Sequence, residues 1–130
     1  MRIARSLIDE VVAHAHQEAP DECCGMIAGR DGQATRVLRA ENAAHSRLRY
    51  ELDPREQLRL MEDLDAAGEE LAGIYHSHTG SAPYPSQTDI NLAFYPESLY
   101  VIAGVAADEP EVRAYRILDG RVEEVELEVI

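Results

Sequence analysis

Residues 76–89 read His-Ser-His-Thr-Gly-Ser-Ala-Pro-Tyr-Pro-Ser-Gln-Thr-Asp and follow an apolar stretch, Leu71 to Tyr75, that reads as a strand. No other segment constrains the fold as tightly. It asks for a strand, a close turn and a helix start in quick succession, with reactive side chains on each. In an extended strand successive side chains face opposite ways, so His76 and His78 share one face while Ser77 takes the other. Two imidazoles on one face make half of a tetrahedral metal site. The small and turn-forming residues Thr79 to Pro85 let the chain swing back and bring Asp89 in as a third ligand. Two histidines and one carboxylate leave a fourth position open, which separates a catalytic zinc from a structural one. The chemistry expected of such a site is hydrolysis.

The same residues support plainer readings. Ser86-Gln87-Thr88-Asp89 is also a capping-box pattern, with Ser86 at a helix N-cap and Asp89 reaching back to orphan N–H groups. A His-x-His pair in isolation is also compatible with a polar strand face. Both readings must hold together here, and packing alone gives a buried strand little reason to spend two inward positions on imidazoles.

Composition limits the partners. The chain has 130 residues, 45% hydrophobic and 28% charged, which fits one globular domain spanning residues 1–130. A net charge of −13 argues against a nucleic-acid or anionic-membrane partner, whose affinity comes from Lys and Arg. There is no apolar run of about eighteen residues and no charged-then-apolar leader, so the expected address is the cytoplasm. The only cysteines, Cys23 and Cys24, are adjacent. Neighbouring Cα atoms lie about 3.8 Å apart, short of the roughly 4.4–6.8 Å that a disulfide spans, so buried free thiols are expected. His14 and His16, two apart on a helix, cannot share a face, and solvated or capping roles are expected for them. The residues do not specify an oligomeric state.

Hydrophobic spacing predicts a helix over Arg2 to Glu18, closed by Pro20-Asp21. Cys24 to Gly29 and Thr35 to Ala40 read as a hairpin about the turn Arg30-Asp31-Gly32-Gln33. Glu41 to Arg49 reads as loop, Tyr50 to Asp53 as a brief extended piece, and Pro54 as the first residue of a helix reaching Ala67, with Leu58, Met61 and Leu64 inward. Gly68 stops that helix. Leu71 to His78 is the ligand strand and Thr88 to Phe94 a short helix. Leu99 to Ala106, Val112 to Leu118 and Val122 to Val129 read as strands, the last two joined at Asp119-Gly120. The pattern is α/β with a largely antiparallel sheet.

A hydrolytic zinc site needs a proton acceptor, and the motif contains no spare carboxylate. Glu22 is the best candidate. It precedes the strand Cys24-Gly25-Met26, where Gly25 lets another backbone come close. A solvated turn residue after Pro20-Asp21 is the competing account of Glu22.

His76-Ser77-His78, seven residues, Ser86, two residues and Asp89, with Glu22 upstream of a Gly-containing strand, resembles the JAMM (MPN-plus) zinc metallopeptidase family. The resemblance implies one zinc ion per chain held by His76, His78 and Asp89, Glu22 as the base acting on the attacking water, and Ser86 as a donor to the oxyanion. It also implies a JAB/MPN domain, a curled mixed, mostly antiparallel sheet flanked by helices and related to the cytidine-deaminase architecture. Pro20 to Gly25, Asn42, Tyr50 with Leu52-Asp53, Tyr75 to Thr79, Tyr84 to Asp89 and Tyr115 to Gly120 are similar to a small actinobacterial branch of that family. That branch implies hydrolysis after the C-terminal Gly-Gly of a ubiquitin-like sulfur-carrier protein, with release of cysteine. Two further readings stand beside it: a broader processing peptidase for MoaD-like, ThiS-like or other ubiquitin-like proteins, and a non-catalytic MPN binding module. A deaminase would need a Pro-Cys-x-x-Cys ligand pair, which is absent.

Overall fold

Strands buried on both faces organise the computed structural model, which describes residues 1–130. The elements are β1 (Arg2–Ile3), α1 (Arg5–Glu18), β2 (Cys24–Arg30), β3 (Gln33–Ala40), α2 (Pro54–Ala66), β4 (Glu70–His78), α3 (Gln87–Asn91), β5 (Leu99–Gly104), β6 (Glu111–Leu118), β7 (Arg121–Val125) and β8 (Glu128–Val129). They form one eight-stranded sheet in the order β7-β6-β5-β4-β2-β3-β1-β8. Pairing is antiparallel except for β4 with β5 and for β1 with both β3 and β8. The expected mixed, mostly antiparallel sheet is what forms.

Period-two alternation sends each central strand into two cores. Cys23, Ile27, Tyr75, Val101 and Ala103 face α1 and pack with its Ile8, Val11 and Ala15. Cys24, Met26 and Ala28 face the other way, onto Leu60 and Leu64 of α2. Beside them on that second face lie Ile74, Tyr100, Ile102, Tyr115 and Ile117. In the register, Cys24 pairs with His76 and His76 with Ile102, so the imidazole of His76 stands in the row between the two apolar clusters of the α2 face. Gly25 is required where it is. A Cβ there would overlap the Tyr75 ring and lie 2.5 Å from the carbonyl oxygen of Leu38.

The turns follow their residues. Asp31-Gly32 and Asp119-Gly120 all take positive φ, the two-residue hairpin geometry that Asp-Gly favours. Asp53 caps α2 by accepting from the Arg55 N–H at 2.8 Å, with Pro54 at the first helical position, and Gly68 ends the helix at φ 68°.

Three expectations are corrected. Helix α1 starts at Arg5, because Arg2 and Ile3 pair with β3 and β8 as a short strand. In α2 Leu64 is inward and Met61 is half-buried against the same cluster, as expected, but Leu60 takes the inward place expected of Leu58, which is 61% exposed. The segment Val122 to Val129 is divided: β7 pairs with β6, while β8 crosses to the far edge of the sheet beside β1.

His14 also departs from expectation. Its side chain is buried and shares a 2.7 Å hydrogen bond, through Nδ1, with the Tyr75 hydroxyl, whereas His16 is exposed. Burial and the Arg39 charge lower the His14 pKa against the opposing pull of Glu18. An unfolded histidine titrates near about 6.5, so between the two values the unfolded chain binds a proton that the native one does not, and stability falls as pH drops through that window. Melting temperatures at pH 7.5 and 5.5 should show a smaller loss for His14→Gln than for the wild type.

Candidate metal centre and catalytic groups

Strand β4 delivers the two imidazoles and α3 delivers the carboxylate. The last turns of β4 are held by β2: Ser77 N–H donates to the Cys23 carbonyl at 3.2 Å, and Cys23 N–H donates to Ser77 Oγ at 2.8 Å. Ser77 thus spends its side chain on the α1 face as a strand clamp, leaving His76 and His78 on the other. Asp89 is placed by the capping box, in which Asp89 N–H donates to Ser86 Oγ at 3.1 Å and Ser86 N–H donates to Asp89 Oδ2 at 2.9 Å. The capping pattern and the ligand pattern are therefore the same structure, not rivals.

Three donor atoms converge. Asp89 Oδ2 lies 3.1 Å from His76 Nε2 and 3.1 Å from His78 Nε2, and the two Nε2 atoms are 3.2 Å apart. Ligand atoms about 2.0–2.1 Å from a tetrahedral zinc are roughly 3.3 Å from one another, so the triangle has the size that zinc requires. All three residues are buried. His78 is oriented for a metal, because its Nδ1–H donates to the Ala82 carbonyl at 2.8 Å and leaves Nε2 as the ring atom that would ligate. Histidine nitrogens with a hard carboxylate suit zinc, and its binding here supplies Lewis acidity, which makes a water acidic near neutral pH and polarises a carbonyl.

Charges in the cluster hold one another. Burial pulls the His76 pKa down, and Asp89 only partly offsets it. Burial also acts against His78, but the Asp89 carboxylate, the Ala82 carbonyl and Glu22 outweigh it and its pKa is raised. For Asp89 burial is overcome by both imidazoles and the Ser86 N–H, so its carboxyl stays well below the usual range.

Glu22 lies at the head of β2, two residues before the Cys24–His76 pair, which brings it alongside His78. It is 3% exposed, and its Oε1 has no hydrogen-bond partner. Its backbone is pinned on both sides, the N–H donating to the Ser46 carbonyl at 2.8 Å and the C=O accepting from Asn42 Nδ2 at 3.0 Å. Burial pushes its carboxyl up to about 8, with His78 opposing and Asp89 adding. A buried carboxyl tuned near neutrality and free of partners is suited to proton transfer and not to a solvated turn. Cys23 and Cys24 are buried free thiols, pushed by burial up to about 11 and about 12, which makes them inert.

Three contributors have no local sequence signature: the Ala82 carbonyl, the Asn42 side chain, and Tyr50, whose ring stacks on His76 with centroids 4.5 Å apart. Each acts across loops, where spacing carries no period to read.

A curled, mixed eight-stranded sheet with this ligand triangle at the end of a central strand defines a JAB/MPN domain carrying the metal site of the JAMM peptidases. The chain belongs to the family described as prokaryotic homologs of the JAB domain, which matches residues 4–118. It is 41% identical over 133 residues to the CysO-cysteine peptidase of Mycobacterium tuberculosis, covering 98% of this chain and 90% of that protein. The desampylase of Haloferax volcanii is 38% identical over 110 residues, covering 78% of each chain. A solved structure from Desulfitobacterium hafniense superposes with a TM-score of 0.90 at 33% identity, covering 99% of this chain and 92% of that one.

Proposed function

We propose that residues 1–130 act as one zinc metallopeptidase domain that hydrolyses the amide bond after the C-terminal Gly-Gly of a ubiquitin-like sulfur-carrier protein. The reaction releases cysteine and regenerates the carrier, as a step of cysteine biosynthesis. The observation that carries this reading is a buried, unpartnered glutamate beside a zinc-sized triangle of ligand atoms. Similarity to a CysO-cysteine peptidase across almost the whole chain supports the choice of substrate. No helix of the protein is long and apolar enough to cross a membrane, and the two free thiols suit the reducing cytoplasm in which we place the enzyme.

In this mechanism Glu22 takes the proton of the attacking water as its oxygen bonds to the carbonyl carbon of the terminal glycine. The carbonyl oxygen gains charge and is met by the Ser86 hydroxyl. One lone pair of Ser86 Oγ is engaged by the Asp89 N–H, which leaves its own proton free to donate. The C–N bond then breaks, and Glu22 returns the proton to the departing amine. Carboxylate and free amine are the products. Ser86→Ala is expected to lower kcat by about 100-fold or more with little change in KM, since a preorganised oxyanion donor is worth roughly 3 kcal/mol. Losing only the cap would instead cost about 1 kcal/mol of stability and leave catalysis intact. Kinetics and melting on the one variant separate these outcomes.

A second reading, processing of protein conjugates of ubiquitin-like carriers, is favoured by similarity to a desampylase. The deciding experiment compares kcat/KM for a folded carrier ending in Gly-Gly-Cys, the same carrier joined to a lysine side chain, and a short peptide copying the tail. The cysteine adduct should exceed the peptide by about 100-fold or more, because the folded body supplies binding energy that positions the tail. Equal values for adduct and peptide would mark a general small peptidase.

A further inference from the structure

No protein group accepts a hydrogen bond from His76 Nδ1, the contact that usually orients a ligating imidazole. Such a ring normally donates its second N–H to a carboxylate, carbonyl or water, which fixes both tautomer and orientation. His78 does this through Ala82. Nδ1 of His76 is buried and meets no acceptor. What meets the ring is Tyr50, stacked on it with planes 22° apart and centroids 4.5 Å apart.

Tyr50 stands outside any helix or strand, so its position has to be imposed. Asn42 imposes it. Asn42 Nδ2 donates to the Arg49 carbonyl at 3.0 Å, and Asn42 Oδ1 accepts from the Glu51 N–H at 3.1 Å, which binds the peptide groups on both sides of Tyr50 to one buried amide. The same Nδ2 holds the Glu22 carbonyl at 3.0 Å, and the Ala43 N–H donates to the Glu51 carbonyl at 2.9 Å to close the loop. The Tyr50 ring also packs against both apolar clusters of the α2 face, so it roofs the row in which His76 stands.

We propose that Tyr50 is a positioning residue that fixes the His76 ring for zinc by stacking, where no protein acceptor orients it, and that Asn42 couples this roof to the placement of Glu22. The inference rests on the zinc reading above. It explains why a loop with no regular structure carries a buried asparagine with so many backbone partners. A phenyl ring stacks as a phenol does, whereas a leucine fills the space without a planar face to set the imidazole.

The test uses Tyr50→Phe, Tyr50→Leu and Asn42→Ala in the full chain. Zinc dissociation constants come from competition with a chromophoric chelator, and the absorption spectrum of the cobalt(II)-loaded protein reports ligand geometry. Tyr50→Phe should bind zinc within about twofold of the wild type, and Tyr50→Leu should bind about 10- to 100-fold more weakly with an altered cobalt spectrum. Asn42→Ala should move the same two readouts in the same direction, which keeps the idea testable if Tyr50→Leu fails to fold. Wild-type zinc affinity and cobalt spectrum in Tyr50→Leu, or in Asn42→Ala where Tyr50→Leu does not fold, would overturn this proposal and leave the zinc site standing. Failure of the wild type itself to bind zinc would overturn both.

Discussion

Glu22→Gln is expected to purify with a full equivalent of zinc and to lose roughly 10²–10⁴-fold in kcat, the range that a general acid–base group contributes. The substitution keeps size and shape while removing the titrating carboxyl. Glu22 is close enough to feel His78 and Asp89, yet its Oε1 pairs with neither, and this separates a proton carrier from a ligand. KM should change little, because the loss falls on a step that occurs only in the transition state. A folded Glu22→Gln protein that comes out metal-free would show Glu22 to be a fourth ligand and would remove the base from the mechanism.

His76→Ala and His78→Ala are expected to abolish tight zinc binding, since each removes one corner of a triangle with sides of 3.1, 3.1 and 3.2 Å. Asp89 needs a different variant. Its Oδ2 also accepts the Ser86 N–H that starts α3, so Asp89→Ala would confuse lost metal with a lost cap. Asp89→Asn retains an oxygen for the cap and removes the charge. Zinc at about 1,000 times its dissociation constant should stabilise the wild type by about 4 kcal/mol, roughly 15 °C in Tm for a chain of this length. The three variants should show little or none of that rise. Calorimetry with and without zinc measures it, and a wild-type-sized rise in any of them would remove that residue from the ligand set.

The ligand set was legible in the sequence because strand period and helix capping are local. His76 and His78 share a face by alternation alone, and Ser86 to Asp89 announces a helix start in the residues themselves. The Asp-Gly turns and Pro54 were legible for the same reason. Glu22 was only half legible: its place before β2 could be read, but the burial that pushes its carboxyl up to about 8 is tertiary, and the Asn42 and Ser46 contacts that hold its backbone come from a loop distant in sequence. Tyr50 read as a brief extended piece because its stacking partner is distant in sequence. His14 departs from its expected solvated or capping role because helical spacing says which residues share a face, not that Tyr75 supplies a hydroxyl on the buried one. The C-terminal alternation likewise gave strand character correctly but not the break that sends β8 to the opposite edge beside β1.

The proposed hydrolysis of a carrier-bound amide depends on zinc held by His76, His78 and Asp89. The most direct measurement follows a purified carrier ending in Gly-Gly-Cys by intact-mass spectrometry, with enzyme as isolated, after chelation, and after one equivalent of zinc is restored. Loss of the terminal cysteine, arrest on chelation and recovery with zinc are expected. Cleavage that continues unchanged in the chelated, zinc-free enzyme would contradict this dependence on zinc.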